Sequence, residues 1–313
     1  MGGWTIRNLP RRRAPDAGAA ADAGAAKDSR WSRPAPTLVL LAAIGGVLLV
    51  VVAATYWPVF GDEHAYWLAA QRLAAGQPLY DPTAAPFTPY AYWYPPVLAQ
   101  VLAPFTSAIP TWVFTAFWTA LLAACVYYLA GRNLLVALAC VAFLPVALEL
   151  RVRNVHLIIA VLTVLALQRS WIFWIPAAAL KLAPGLGVLY LVAAGRRREA
   201  ALAALVGGAV AAASYILAPG AWRDFLEVAT SRAVTDAGGF LGVPYAARLV
   251  AGGSIAFIAG RRGGTAGEIA MVVAITVANP TLWANAFSLL LAILPIVRAR
   301  PPRPAVIRFA TVS

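Results

Sequence analysis

The sequence predicts an all-α polytopic membrane protein of roughly ten transmembrane helices. Three observations carry that expectation. The 313 residues are 62% hydrophobic and 12% charged, whereas soluble domains are about 45–50% apolar and about 25% charged. Mean hydropathy is +0.75, and the apolar residues gather in long runs. Lys and Arg number 25 against 12 Asp and Glu, and the bases fall in short clusters between those runs. That placement is the positive-inside pattern, so the net charge of +13 is read as membrane topology and no nucleic-acid partner is expected.

Residues 1–35 carry Arg11-Arg12-Arg13 and an Ala/Asp/Gly run without apolar periodicity, and read as a disordered basic cytoplasmic tail. Residues 36–298 read as the membrane domain and 299–313 as a cytoplasmic C-terminal tail. Thr37 to Trp57 is an unbroken apolar run, long enough to cross a bilayer and longer than the core of about 7–15 residues in a cleavable signal peptide. Seven bases precede it and none directly follows, which predicts an extracytoplasmic segment over 58–93.

Within that segment Asp62 to Ala75 lacks Gly and Pro and predicts a short helix, ended by Gly76 and the Pro78, Pro82, Pro86 and Pro89 series. Further apolar runs follow at 95–109, 111–130, 134–150, 155–167, 171–194, 200–218, 241–259, 269–278 and 282–297. Arg196-Arg197-Arg198, Arg261-Arg262 and the Arg298/Arg300/Arg303 tail anchor three connections on the cytoplasmic side. The resulting expectation is a multi-pass plasma-membrane protein with both termini cytoplasmic and the 58–93 loop outside. The short runs flanking Arg151 to His156 also fit a broken or re-entrant pair. Cys125 and Cys140 both sit in apolar runs and read as buried thiols.

The chemistry-bearing stretch is Asp62-Glu63-His64, two acids and a histidine in a chain poor in acids. A carboxylate beside an apolar groove can take a proton from an acceptor hydroxyl, which makes Asp62 the candidate general base. The alternative is that Asp62 caps the helix it begins. Glu63 and His64 are secondary candidates. No second cluster of ligands accompanies them, so neither a metal nor a cofactor is expected.

Further along, the order of motifs carries a resemblance. Asp62, Tyr66, Ala69, Leu73, Gly76 and Leu79-Tyr80, then Tyr94-Pro95-Pro96 and Pro104, resemble the first extracytoplasmic loop and second helix of GT-C glycosyltransferases. The likeness is greatest to the polyprenyl-phosphate-mannose-dependent α-mannosyltransferases that act on phosphatidylinositol mannosides. Asn154-Val155-His156-Leu157 stands where that family has Gln-x-Asn-Leu. Leu180-Lys181-x-x-Pro184 resembles its Lys-x-x-Pro helix, and Asn279-Pro280-x-x-Trp283-x-Asn285 its Ser-Pro-x-x-Trp motif. The resemblance implies a GT-C-like bundle with the loop catalytic. It also implies inverting transfer of a sugar, mannose by likeness, from a polyprenyl-phospho-sugar to a lipid-linked or glycan acceptor, with Asp62 as base.

Lys181 reads as lying about ten residues into an apolar helix, where an ion is costly unless paired. It, or Arg153, is a candidate ligand for the donor phosphate, with Arg72 and Arg232 as rivals. Snorkelling, or pairing with Glu149, is the structural alternative for Lys181. Asn154 and His156 are candidate binders of acceptor hydroxyls or structural polar groups. Trp283 and Asn285 are candidate substrate contacts beside the helix opened by Pro280, and Tyr66 is a further candidate substrate contact in the first loop. Tyr90, Tyr92, Trp93 and Tyr94 fit an aromatic interfacial belt better than a sugar platform. The rival readings are a lipid or solute transporter, a scaffold subunit, or a transferase of the same superfamily using another polyprenyl-phospho-sugar.

Overall fold

The computed structural model describes residues 34–56, 61–80, 91–230 and 242–299. Residues 37–313 form one unit by their contacts and 1–36 another, of which only 34–36 are described. Most of the expected tail over 1–35, most of the C-terminal tail, Arg232, and parts of the 58–93 loop therefore lie outside the described residues.

All regular structure among the described residues is helical. Helix α1 is Pro36–Tyr56, α2 Asp62–Ala74, α3 Pro96–Thr106, α4 Thr111–Leu129, α5 Leu134–Val141, α6 Leu144–Val152 and α7 His156–Gln168. Helices α8 Trp174–Leu180, α9 Leu186–Ala193, α10 Arg197–Leu217, α11 Pro219–Thr230, α12 Tyr245–Arg262, α13 Gly264–Val277 and α14 Ile293–Arg298 follow. Short 3-10 turns at Trp171–Phe173 and Ala183–Gly185, and a longer 3-10 segment at Ala284–Ala292, link them.

The expectation of roughly ten spans is overturned. Among the described residues two helices, α4 and α10, are long and apolar enough to cross a membrane, or up to three if α5 and α6 count as one span. Several other apolar runs fold as shorter helices of 10–17 residues, such as Pro96–Thr106, His156–Gln168 and Gly264–Val277. Proline is a main physical reason. Pro145 has no N–H for the carbonyl of Val141 and its ring clashes there, so α5 stops at Val141 and α6 restarts at an 88° bend. Pro184 does the same to Leu180 and cuts the 171–194 run into pieces. A hydropathy window registers apolarity and not helical continuity. The multi-pass localisation falls with the span count, since two or at most three candidate spans stand where about ten were expected.

The core is centred on α7, whose Leu157, Ile159, Ala160 and Val164 are buried and which packs against α4, α8 and the 284–292 segment. Helices α12 and α13 form an antiparallel pair that also carries α9. Gly252 permits this approach, since a Cβ there would stand 2.7 Å from the Ala278 Cβ. Cys125 and Cys140 are free and buried, as their apolar setting predicted.

Candidate active site

The site begins at the start of α2. Gly61 is the N-cap, in extended conformation and without a side-chain cap bond, so Asp62 occupies the first helical position and does not cap the helix. Its Oδ2 instead accepts from Asn154 Nδ2, with the Tyr94 hydroxyl 3.5 Å away. Close backbone approach makes this possible: a Cβ on Gly61 would lie 2.5 Å from the Val152 carbonyl oxygen. Arg153 then takes a left-handed conformation, φ 52°, which ends α6 and turns Asn154 toward Asp62.

Two buried ions brace that turn. Arg153 Nε lies 2.7 Å from Glu63 Oε1, which also accepts from the Thr115 hydroxyl at 3.3 Å. Trp118 Nε1 donates to the Arg153 carbonyl at 2.9 Å. Arg153 and Glu63 are thus committed to each other and do not line the cavity described below.

A second polar group is built around Lys181. The expectation of a lysine deep in a helix is corrected: α8 ends at Leu180 and Lys181 is extended, in the break that Pro184 imposes. Its Nζ lies 2.8 Å from His156 Nε2 and 5.3 Å from the centre of the Tyr94 ring. The other imidazole nitrogen, Nδ1, lies 2.9 Å from Glu149 Oε2, and the His156 amide donates to Glu149 Oε1 at 2.7 Å. Asn285 Nδ2 donates to Glu149 Oε2 at 2.8 Å, and Asn279 Nδ2 is 2.9 Å from His156 Nε2. Arg248, itself buried, donates to the carbonyls of Asn279 and Pro280 and so fixes the start of this last segment.

These groups meet at a cavity of about 510 Å³. Asp62, Asn154, His156, Lys181, Asn279 and Asn285 supply its polar wall, and Trp93, Tyr94, Phe225, Tyr245 and Trp283 its aromatic one. Burial pushes the Asp62 carboxyl up to about 6, against the opposing pull of Lys181 and the Asn154 hydrogen bond. Burial lowers the Lys181 ammonium, which lies outside the candidate spans, to about 8, with Glu149 and Asp62 resisting. Near neutral pH the cavity thus offers a carboxylate poised to accept a proton and a cation to meet an anion. Among the described residues no group of three or more His, Cys, Asp or Glu is placed to hold a metal ion.

Of the residues singled out in the sequence, Asp62, Asn154, His156, Lys181, Trp283 and Asn285 are brought together at this cavity. Arg72 lines a separate surface depression with Gln71 and Ser107. Tyr66 is fully buried behind Asp62, its ring 4.8 Å from Tyr94 and 5.3 Å from Trp118. His64 stacks on Trp67. The aromatic-belt expectation is also corrected. Tyr92 and Tyr94 are buried in a cluster with Tyr66 and Tyr80, and Trp93 lines the cavity, while Tyr90 lies outside the described residues. Sequence reasoning did not single out Arg248, and it named Glu149 only as a possible partner of Lys181 and Asn279 only as part of a motif. The available signal was Glu149 itself, a lone acid within an apolar run.

Comparison with known proteins adds one finding. Residues 92–237 match the family model for glycosyltransferase family 87. No curated protein and no solved structure matches the chain. The matched stretch is a little under half of the sequence. It contains Asn154, His156 and Lys181 and stops short of Asp62 on one side and Asn279 to Asn285 on the other. The match supports a glycosyltransferase domain of the GT-C superfamily and, with it, glycosyltransferase activity.

Proposed function

We propose that this glycosyltransferase moves a sugar from a polyprenyl-phosphate donor to a hydroxyl of a lipid-linked or glycan acceptor, with inversion. The observation that carries the reading is that Asp62 and Lys181 line the same cavity. Asp62 takes the proton of the acceptor hydroxyl as its oxygen bonds to the anomeric carbon. The bond from that carbon to the phosphate oxygen breaks, and the charge that develops on the phosphate meets the Lys181 ammonium. The amides of Asn154, Asn279 and Asn285 are suited to sugar hydroxyls, and Trp283 to a sugar face. Mannose is the sugar favoured by the resemblance of the motifs. The family match favours a transferase over the transporter and scaffold readings.

The test supplies purified protein with labelled polyprenyl-phospho-mannose, -glucose and -arabinose and a panel of lipid and glycan acceptors. Label is expected to reach an acceptor from the mannosyl donor, and Asp62→Asn to lower transfer at least about 100-fold. Equal transfer by Asp62→Asn removes Asp62 as the base. Preference for another donor reassigns the sugar while leaving the transferase chemistry in place.

A further inference from the structure

Behind Lys181 stands a fully buried carboxylate that the transfer chemistry does not use. Glu149 is 0% exposed, and its two oxygens accept from the His156 amide, the Asn285 side chain and His156 Nδ1. An acceptor-only carboxylate at Nδ1 requires the proton of the neutral imidazole to sit there. Nε2 is then left with one lone pair, directed at the cavity. Two donors compete for it: Lys181 Nζ at 2.8 Å and Asn279 Nδ2 at 2.9 Å. One lone pair accepts only one of them well, so Lys181 can leave His156 for an anion without orphaning the imidazole, provided Asn279 stays. The Arg248 hold on the Asn279 carbonyl keeps that second donor in range.

We infer that Glu149 and His156 are positioning residues for Lys181: Glu149 fixes the imidazole tautomer, and Nε2 holds the ammonium at the cavity wall for handover to a ligand phosphate. Asn279 is the replacement donor that takes the vacated lone pair. The inference rests on the reading of Lys181 as a phosphate ligand. It adds that the phosphate affinity of Lys181 depends on Glu149 and His156, the two groups that hold it.

The isosteric Glu149→Gln substitution probes this directly. An amide NH2 facing Nδ1 would donate to it and move the ring proton to Nε2, which then repels the ammonium in place of accepting from it.

The experiment measures binding of farnesyl phosphate and of uncharged farnesol to the full chain. Wild type is expected to prefer the phosphate by at least about tenfold, and Lys181→Met to lose that preference. Glu149→Gln is expected to lose most of the same preference while farnesol binding stays within about twofold, and to add nothing in the Lys181→Met background. His156→Phe, which removes both nitrogens, is the second variant, and thermal melting checks the fold of each. Retention of full phosphate preference in a folded Glu149→Gln or His156→Phe variant overturns the inference while leaving Lys181 as the phosphate ligand. Equal wild-type binding of farnesyl phosphate and farnesol instead overturns the Lys181 assignment, and this inference with it. A parallel loss of both ligands in every variant shows a merely structural role and also overturns it.

Discussion

At the scale of single residues, Asp62 and Lys181 define a pH window. The proposed transfer needs Asp62 ionised, which holds above about 6, and Lys181 charged, which holds below about 8. The pH dependence of kcat/KM is therefore expected to be bell-shaped, rising through about 6 and falling through about 8. A profile flat across that range would separate both groups from catalysis. Asn154 donates a hydrogen bond that favours the ionised form of Asp62. Asn154→Ala is expected to move the acid limb to higher pH, with little change in the alkaline limb. A steady-state pH profile of the variant checks the direction.

At the scale of elements, both halves of the site depend on interrupted helices. Pro184 ends α8 at Leu180 and leaves Lys181 extended. Pro184→Ala returns the missing N–H and lets the helix run on, drawing Lys181 out of reach of His156. Donor KM is expected to rise about tenfold while the melting temperature is held or increased, since helix formers are favoured over proline in a helix interior. Thermal melting and donor kinetics on the same sample check the pair of outcomes. The turn after α6 depends on a buried ion pair. Arg153→Met leaves Glu63 without its cation in a buried setting, at a cost of about 3–5 kcal/mol read as loss of stability in denaturant. An Arg153→Met protein of native stability would show that the pair contributes little.

At the scale of the whole molecule, α4 and α10 are the candidate spans, and most of the surface of α10 is turned away from the protein, with Leu205 68% exposed. Arginine near a span centre costs about 2.5–3.5 kcal/mol on insertion. The Leu205→Arg/Val210→Arg pair is therefore expected to weaken membrane retention. Carbonate extraction of membranes from expressing cells checks it: wild type should pellet, and the double variant should shift toward the supernatant. Wild type recovered in the supernatant would show that α10 does not span.

The residues of the candidate site were legible in the sequence to different degrees. Asp62 and Lys181 stood out because an ion in an apolar chain is costly and needs a reason. Asn154, His156, Trp283 and Asn285 were noted only through their order along the chain. Arg153 was read as a phosphate ligand, but it is buried against Glu63, a pairing that needs α2 and the α6 turn in contact. Glu149 was visible as an isolated acid, yet its partners at His156 and Asn285 lie on different elements.

By itself the sequence determined that the chain is helical and strongly apolar, that a short helix starts at Asp62, and that it ends before Gly76 and Pro78. These are local properties, written in composition, periodicity and the missing proline N–H. Only the tertiary structure decided how many helices are long enough to span, which acids and bases pair, and which of them face one cavity. Those outcomes depend on contacts between residues far apart in the chain: Asp62 meets Asn154, and His156 meets Lys181 and Asn279. No local pattern encodes such distances.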